Sequence, residues 1–304
     1  MQFQGVFSVL PTPFNDDGSL DLESLKKVVD LYLSAGINGV TALGVTGEVA
    51  RLNDRERNVV LETVIKQVNG RGAVIAGTSA DGLHKCIEYS REARAAGASG
   101  VMVSPPRMPK LNSEAIVSHF RQLAAAVDIP IVIQDFPPIS GFTMEASLLV
   151  RIAREVPSAR TIKLEDPPTP LKTTRILEQS KGMEVGILGG LGGVFLLEEL
   201  LAGAAGVMTG FAYPEILVEV VRAFKAGDVD RASNAFYPFV SLMRFEFQEG
   251  IGMAIRKEVL RRRGAIKSSA IRAPGAVLDR ATTEALDRQL RWIKANGGAA
   301  WISG

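Results

Sequence analysis

Lys163 closes a short apolar run, Ala159-Arg160-Thr161-Ile162-Lys163-Leu164, and Glu165 and Asp166 follow it. An amine at the carboxyl end of a buried strand is poorly solvated, and desolvation favours the neutral, nucleophilic form over the ammonium. Such an amine can condense with a carbonyl carbon to give a Schiff base. A lysine that merely snorkels past a strand end leaves the same local pattern, so its surroundings must decide. Two carboxylates, Asp135 and Glu165, fall at the ends of apolar runs and could exchange protons; strand-end carboxylates also serve as partners for backbone groups and cations. Gly44-Val45-Thr46-Gly47-Glu48 is a glycine-bounded turn whose amides and Thr46 hydroxyl could hold a carboxylate as a nest does. Glycines 189, 190, 192 and 193 either let a ligand approach the backbone or let a loop turn tightly, and both readings stay open.

The elements that must position these residues repeat eight times as an apolar run, a loop and an amphipathic stretch. The runs are Gly5–Leu10, Gly39–Leu43, Ala73–Thr78, Gly100–Ser104, Pro130–Phe136, Ala159–Leu164, Met183–Leu188 and Gly206–Thr209. They are too apolar to alternate, as strands buried on both faces are. Between them Asp21–Ala35, Asp54–Val68, Asp81–Ala96, Ser113–Val127, Met144–Glu155, Thr169–Gln179, Val194–Ala202 and Pro214–Ala226 read as helices, several with a polar start or a glycine stop. Eight strand–helix units predict a closed (β/α)8 TIM barrel over residues 1–226. No Gly-x-Gly-x-x-Gly follows the first run, which argues against an open doubly wound sheet. Residues 227–304 read as a helical extension of three helices packed on the barrel as part of one unit. In such barrels the chemistry sits at the carboxyl ends of the strands, where Thr46, Arg107, Gln134, Asp135, Lys163 and Met208 all fall.

Composition excludes several alternatives. The 304 residues are 46% hydrophobic and 22% charged, with a formal charge of +2, a balance that argues against nucleic acid and anionic membranes as partners. The Arg261-Arg262-Arg263 cluster complements the carboxyl end of a helix. The single cysteine, Cys86, forbids an internal disulfide and fits a reducing, cytoplasmic setting. His84 and His119 fall in helical patterns, on faces read as outward, so a histidine zinc site and a Cys–His catalyst are not expected. No apolar run reaches membrane-spanning length, and the amino terminus lacks a signal pattern.

Leu10-Pro11-Thr12-Pro13-Phe14, Asp17-Gly18, Asp21, Gly44–Glu48 with Leu52, Glu56 and Arg57, Pro137 to Gly141, Ile162-Lys163, Gly250 to Arg261 and Arg272-Ala273-Pro274 together resemble the dihydrodipicolinate synthase / N-acetylneuraminate lyase family over nearly the whole chain. The resemblance implies that Lys163 forms a Schiff base with pyruvate or another 2-oxo acid, with no metal or separate cofactor. It implies that Thr46 and the amides around it, Gly47 included, receive the 2-oxo acid carboxylate. Met208 matches an apolar residue beside the Schiff base. Family members assemble as homotetramers or homodimers.

The departures from the family pattern bear on the reaction. Val45 stands where the synthases have the first of two threonines, Gln134 where a tyrosine relays protons, Arg107 near a tyrosine lent by a neighbouring subunit, and Ile139 where an arginine clamps the aldehyde substrate. Leu164 replaces an acidic residue that often follows the lysine. Gln134 can donate and accept hydrogen bonds but cannot exchange a proton near neutral pH. These changes point to a lyase, aldolase or dehydratase acting on a 2-oxo acid such as a 2-oxo-3-deoxy sugar acid. Arg107 is then a candidate contact for an anionic distal group. The alternatives are a barrel that binds a 2-oxo acid without turnover, and a genuine dihydrodipicolinate synthase.

Overall fold

The computed structural model describes residues 3–302. Among these, eight parallel strands close into one barrel in chain order, with β8 pairing back onto β1. The strands are β1 Gly5–Val9, β2 Gly39–Ala42, β3 Ala73–Gly77, β4 Gly100–Val103, β5 Ile131–Asp135, β6 Thr161–Leu164, β7 Gly186–Gly189 and β8 Gly206–Thr209. The helices of the outer layer are α1 Leu22–Ser34, α2 Asp54–Val68, α3 Leu83–Ala96, α4 Ser113–Ala126, α5 Pro137–Ser140, α6 Ala146–Glu155, α7 Thr169–Gln179, α8 Leu196–Leu201 and α9 Pro214–Lys225. The chain is a TIM barrel.

The strand cores fall where the apolar runs predict them, and the ends differ for local reasons. Strand β7 begins at Gly186 rather than Met183, because the Met183 amide is taken by Ser180 O at the end of α7, whereas Gly186 N pairs with Arg160 O. Helix α8 is shorter than the pattern suggests, since Gly192 and Gly193 ahead of it take positive φ (69° and 82°). Pro137–Ser140, expected as loop, makes a single helical turn ended by Gly141 at φ 69°.

Strand alternation separates two cores. Inside the barrel, Phe3, Phe7, Val9, Ile75, Met102, Val132, Leu188 and Met208 pack together. Outside it, the alternate residues of each strand, such as Val40, Val101, Ile133, Ile162 and Val207, pack against the helices. Strands buried on both faces explain the unbroken apolar runs.

Three further helices, α10 Val229–Glu246, α11 Gly252–Arg262 and α12 Arg280–Ile293, follow the barrel. They are tied to its carboxyl-end mouth by charge. Lys257 of α11 is fully buried and lies 2.5 Å from the equally buried Glu48, and its Nζ also donates to Ala270 O. Burial holds the Lys257 pKa below its usual value, with Glu48 opposing that shift. Arg272 clamps Glu56 with both guanidinium nitrogens and donates to Gly18 O. The arginine run is ion-paired rather than left to the helix end alone: Arg261 and Arg262 hold Glu258, and Arg263 holds Glu215.

His84 is exposed, as its helical position suggests, but His119 is not. It is 6% exposed on the inner side of α4, edge-on to Phe120, and its Nε2 has no partner. The flanking Ile116, Val117 and Phe120 are all buried, so the inward face of α4 includes position 119.

Two expectations follow. Glu48→Gln leaves the Lys257 ammonium buried without its counter-charge and should cost about 3 kcal/mol in denaturant unfolding; the double variant Glu48→Gln/Lys257→Met should recover part of that loss. Burial lowers the His119 pKa to about 4. A folded-state value below the unfolded one means stability is complete above the unfolded value and is lost as pH falls toward 4, by at most ~3 kcal/mol. His119→Leu should therefore lose less stability than the wild type between about pH 6.5 and 4; parallel losses would show that His119 is not the group responsible.

Candidate active site

Lys163 and Gln134 are direct register partners on β6 and β5 and point into the barrel. Lys163 is 5% exposed and is not a lone amine: Glu165 Oε2 lies 2.9 Å from its Nζ. Alternation explains this contact. Leu164 faces the helices, and the next residue turns back inward beside the lysine. Glu165 Oε2 also accepts from Gln134 Nε2 at 2.9 Å, and Gln134 Oε1 accepts from Ser104 Oγ at 3.0 Å. A continuous polar row, Ser104–Gln134–Glu165–Lys163, thus crosses the ends of β4, β5 and β6. The amide of Gln134 suits its place, since it accepts on one side and donates on the other.

The two carboxylates judged alike from sequence part company here. Asp135 is the neighbour of Gln134 and so faces the opposite side of the sheet. Its carboxylate is buried against Lys172 of α7 at 2.6 Å, and Lys172 also holds Asp166. Burial pushes the Asp135 pKa up to about 6, with Lys172 opposing the shift. Asp135 therefore has no place in the row that reaches Lys163. Glu199 of α8 is a further buried acid behind the sheet, bonded to Thr169 Oγ1, and burial raises its pKa to about 7.

Gly189 and Gly190 make room for these acids. A Cβ on Gly190 would collide with Glu165, and one on Gly189 would collide with Glu199. The glycines after β7 thus accommodate carboxylate side chains, a role outside both sequence readings.

The turn after β2 is a 3-10 turn over Val45–Gly47, with Glu48 left-handed at φ 55°. The Gly47 amide donates to Gly44 O and the Glu48 amide to Val45 O, so neither N–H is the free donor expected for a carboxylate. The Gly47 carbonyl is held by Thr12 Oγ1 at 2.6 Å. The Thr46 Oγ1 is buried and has no partner, which leaves it as the unspent donor of the turn. Met208 belongs to the barrel interior, fully buried in register with Phe7.

A cavity of about 670 Å³ opens at the mouth, lined by Val45, Ser104, Arg107, Gln134, Ile139 and Tyr89 among others. Lys163, Glu165, Thr46 and Met208 do not line it, so the link from cavity to lysine runs through Gln134. The Arg107 side chain is exposed, while its backbone amide donates to Asp81. The tyrosine hydroxyls are engaged elsewhere or remote: Tyr32 donates to Phe211 O, Tyr89 to Asp54, Tyr213 packs under Arg263, and Tyr237 is exposed on α10.

Sequence reasoning overlooked Lys172 and Glu199 as parts of this region, and it placed Ser104 at a strand end without giving it a role. Ser104 was legible as the last residue of its apolar run; Lys172 and Glu199 sit within helices, where only the fold shows which face they take.

Lys163 and Glu165 thus stand as a buried pair at the sixth strand end, on the face of a (β/α)8 barrel where active sites lie. The chain belongs to the dihydrodipicolinate synthetase family, whose model matches residues 2–293. It is 32% identical over 277 residues to the L-2-keto-3-deoxyarabonate dehydratase of Azospirillum brasilense, covering 89% of this chain and 88% of the relative. It is also 32% identical over 302 residues to the 4-hydroxy-tetrahydrodipicolinate synthase of Methanoculleus marisnigri, covering 97% and 100%. The crystal structure of dihydrodipicolinate synthase from Rhodopseudomonas palustris superposes with a TM-score of 0.90 at 38% identity, covering 95% of this chain and 97% of that one. Among the described residues no helix is long and apolar enough to cross a membrane.

Gly190→Ala tests the packing of the site. The added methyl should push Glu165 away from Lys163 Nζ and Gln134 while the barrel stays folded. A crystal structure of the variant checks this; Glu165 found in its original place would refute the account of Gly190.

Proposed function

We propose that the protein is a Schiff-base dehydratase of a 2-oxo-3-deoxy sugar acid, with Lys163 as nucleophile and Glu165 as the proton-transfer group. The observation that carries this reading is the Glu165 carboxylate 2.9 Å from Lys163 Nζ, anchored by Gln134. The amine must shed a proton to attack, and an adjacent carboxylate can take it. Nζ adds to C2 of the 2-oxo acid and water leaves, giving an iminium. The iminium draws electrons from the adjacent carbon. Glu165 removes a proton from C3, and the resulting enamine expels the C4 hydroxyl, which leaves as water with a proton returned by Glu165. Loss of a proton from C5 and of the C5 hydroxyl proton, with protonation at C3 and C4, then converts the 3-ene into the 2,5-dioxo acid, and hydrolysis of the iminium frees Lys163.

Such an elimination needs one proton shuttle near C3 and C4 and no second substrate. That agrees with Gln134 and Ile139 standing where the synthases carry a proton-relaying tyrosine and an aldehyde-binding arginine. Gln134 orients Glu165 and meets the substrate at the edge of the cavity. Thr46 receives the carboxylate of the 2-oxo acid, Val45 and Met208 give apolar walls, and Arg107 lies outermost, where a distal anionic group would reach. Asp135 is assigned a structural role with Lys172. The reading includes no metal or separate cofactor, a cytoplasmic setting and a homotetramer or homodimer.

The test is a panel of 2-oxo-3-deoxy pentonates and hexonates assayed for dehydrated dioxo product, with borohydride trapping in parallel. Turnover should be lost with Lys163→Ala, together with the trapped adduct. Glu165→Gln should keep the adduct and lower kcat by about a hundred- to ten-thousand-fold. Asp135→Asn should alter stability more than kcat. Pyruvate release in place of dehydration would make the protein an aldolase, condensation of pyruvate with an aldehyde would make it a synthase, and an adduct without turnover would make it a binding protein; each overturns the dehydratase reading.

A further inference from the structure

Arg256 lies on α11, in the helical extension, yet its guanidinium reaches the barrel mouth. It is 2% exposed, and Nε donates to Glu246 Oε2 at 3.1 Å. Nη1 is buried and has no acceptor. Leaving a charged donor buried and unpaired is costly. Nη1 packs against Gly210, the residue just after β8, so closely that a Cβ there would collide with it. The same point in space is 3.2 Å from Thr46 Oγ1, which is also buried and unpartnered. Two unsatisfied hydrogen-bonding groups, one of them cationic, therefore converge on a glycine at the mouth. The counter-ion Glu246 does not spend itself on Arg256 alone: its Oε2 also accepts from the Ala212 amide, and its Oε1 contacts no donor.

We infer that Arg256 is a specificity determinant: beside Thr46 it supplies the positive charge that selects an anionic head group, the carboxylate of the 2-oxo acid. The inference rests on the Schiff-base reading, in which Thr46 faces that carboxylate. Neutral donors already hold a carboxylate better than a neutral ester, because the acceptor is ionised, and a cationic donor widens that preference. A buried guanidinium favours the anion, since a hydrogen bond to a charged group is worth more than one between neutral groups. Burial of Arg256 strengthens the discrimination, because little water intervenes to screen it. Gly210 has a matching role, since the absence of a side chain lets Arg256 and Thr46 approach the same point. The extension would thus complete the binding site rather than only cover the barrel.

The experiment measures borohydride trapping on Lys163 against concentration for two probes, pyruvate and methyl pyruvate, read by intact-protein mass. Wild type should half-saturate with pyruvate at a concentration about tenfold or more below that for the ester. Arg256→Met should shrink this ratio to about threefold or less, through weaker trapping of pyruvate with the ester little changed, and Arg256→Lys should restore much of it. A merely structural arginine would weaken both probes alike, so an unchanged ratio in folded Arg256→Met overturns the inference. If Arg256→Met does not fold, Gly210→Ala provides the second arm: its methyl intrudes between the two groups and should narrow the ratio in the same way, and an unaltered ratio there counts against the inference equally. Absence of any adduct in wild type with either probe would instead overturn the Schiff-base reading beneath it.

Discussion

Two opposite charges, Lys163 and Glu165, are held almost out of water 2.9 Å apart, and the barrel mouth is arranged so that neither stands alone. A buried ion pair recovers its desolvation cost only when the remaining lone pairs and protons are also satisfied. Gln134 meets that requirement on one side of Glu165, and Ser104 fixes the Gln134 amide in turn. Gly190 meets a steric requirement on the other side, because any Cβ there would occupy the space of Glu165. Residues at the carboxyl ends of β4, β5, β6 and β7 are thus constrained by one pair of charges. Exchange of Gln134 for an apolar residue would leave a carboxylate oxygen short of a donor, while a glutamate there would set two like charges side by side.

The pleat decides which acids share in that arrangement. Residues 134 and 135 are adjacent polar groups at one strand end, yet one faces Lys163 and the other faces Lys172. The same rule moves Leu164 outward and brings Glu165 inward. Behind the sheet, Asp135, Asp166 and Glu199 surround Lys172 and Thr169. Burial raises the pKa of Asp135 to about 6 and that of Glu199 to about 7.

The barrel was legible because eight apolar runs of strand length, separated by capped amphipathic stretches, leave few other closed arrangements. Lys163 was legible for the same reason, since strand-end position is nearly all that identifies it. The partners were less so. Choosing Glu165 over Asp135 needs the phase of β5 and β6, and runs that are apolar on both faces carry no mark of phase. The Gly44–Glu48 turn suggests free amides, but a 3-10 turn consumes those of Gly47 and Glu48 internally. His119 deceived for a related reason: a polar residue in an amphipathic pattern is assigned outward, and only packing shows that the apolar stripe of α4 is wide enough to include it.

The helical tail was the least legible part, because its contacts with the mouth are long-range and polar. Lys257 meets Glu48 across the chain, Arg272 meets Glu56, and Arg256 comes to Gly210 and Thr46. Glu48 and Thr46 belong to one short turn, so α11 grips that turn through two consecutive residues, one by its charge and one by proximity. Helical neighbours one apart point about 100° away from each other, which lets Lys257 reach the outer side of the turn and Arg256 the inner. A shift of α11 along its axis would then disturb Glu48 and Thr46 together. Fold stability and the setting of the Thr46 turn are therefore coupled through a single helix, and substitutions at the Glu48–Lys257 contact should be felt at Thr46 before they are felt at Lys163.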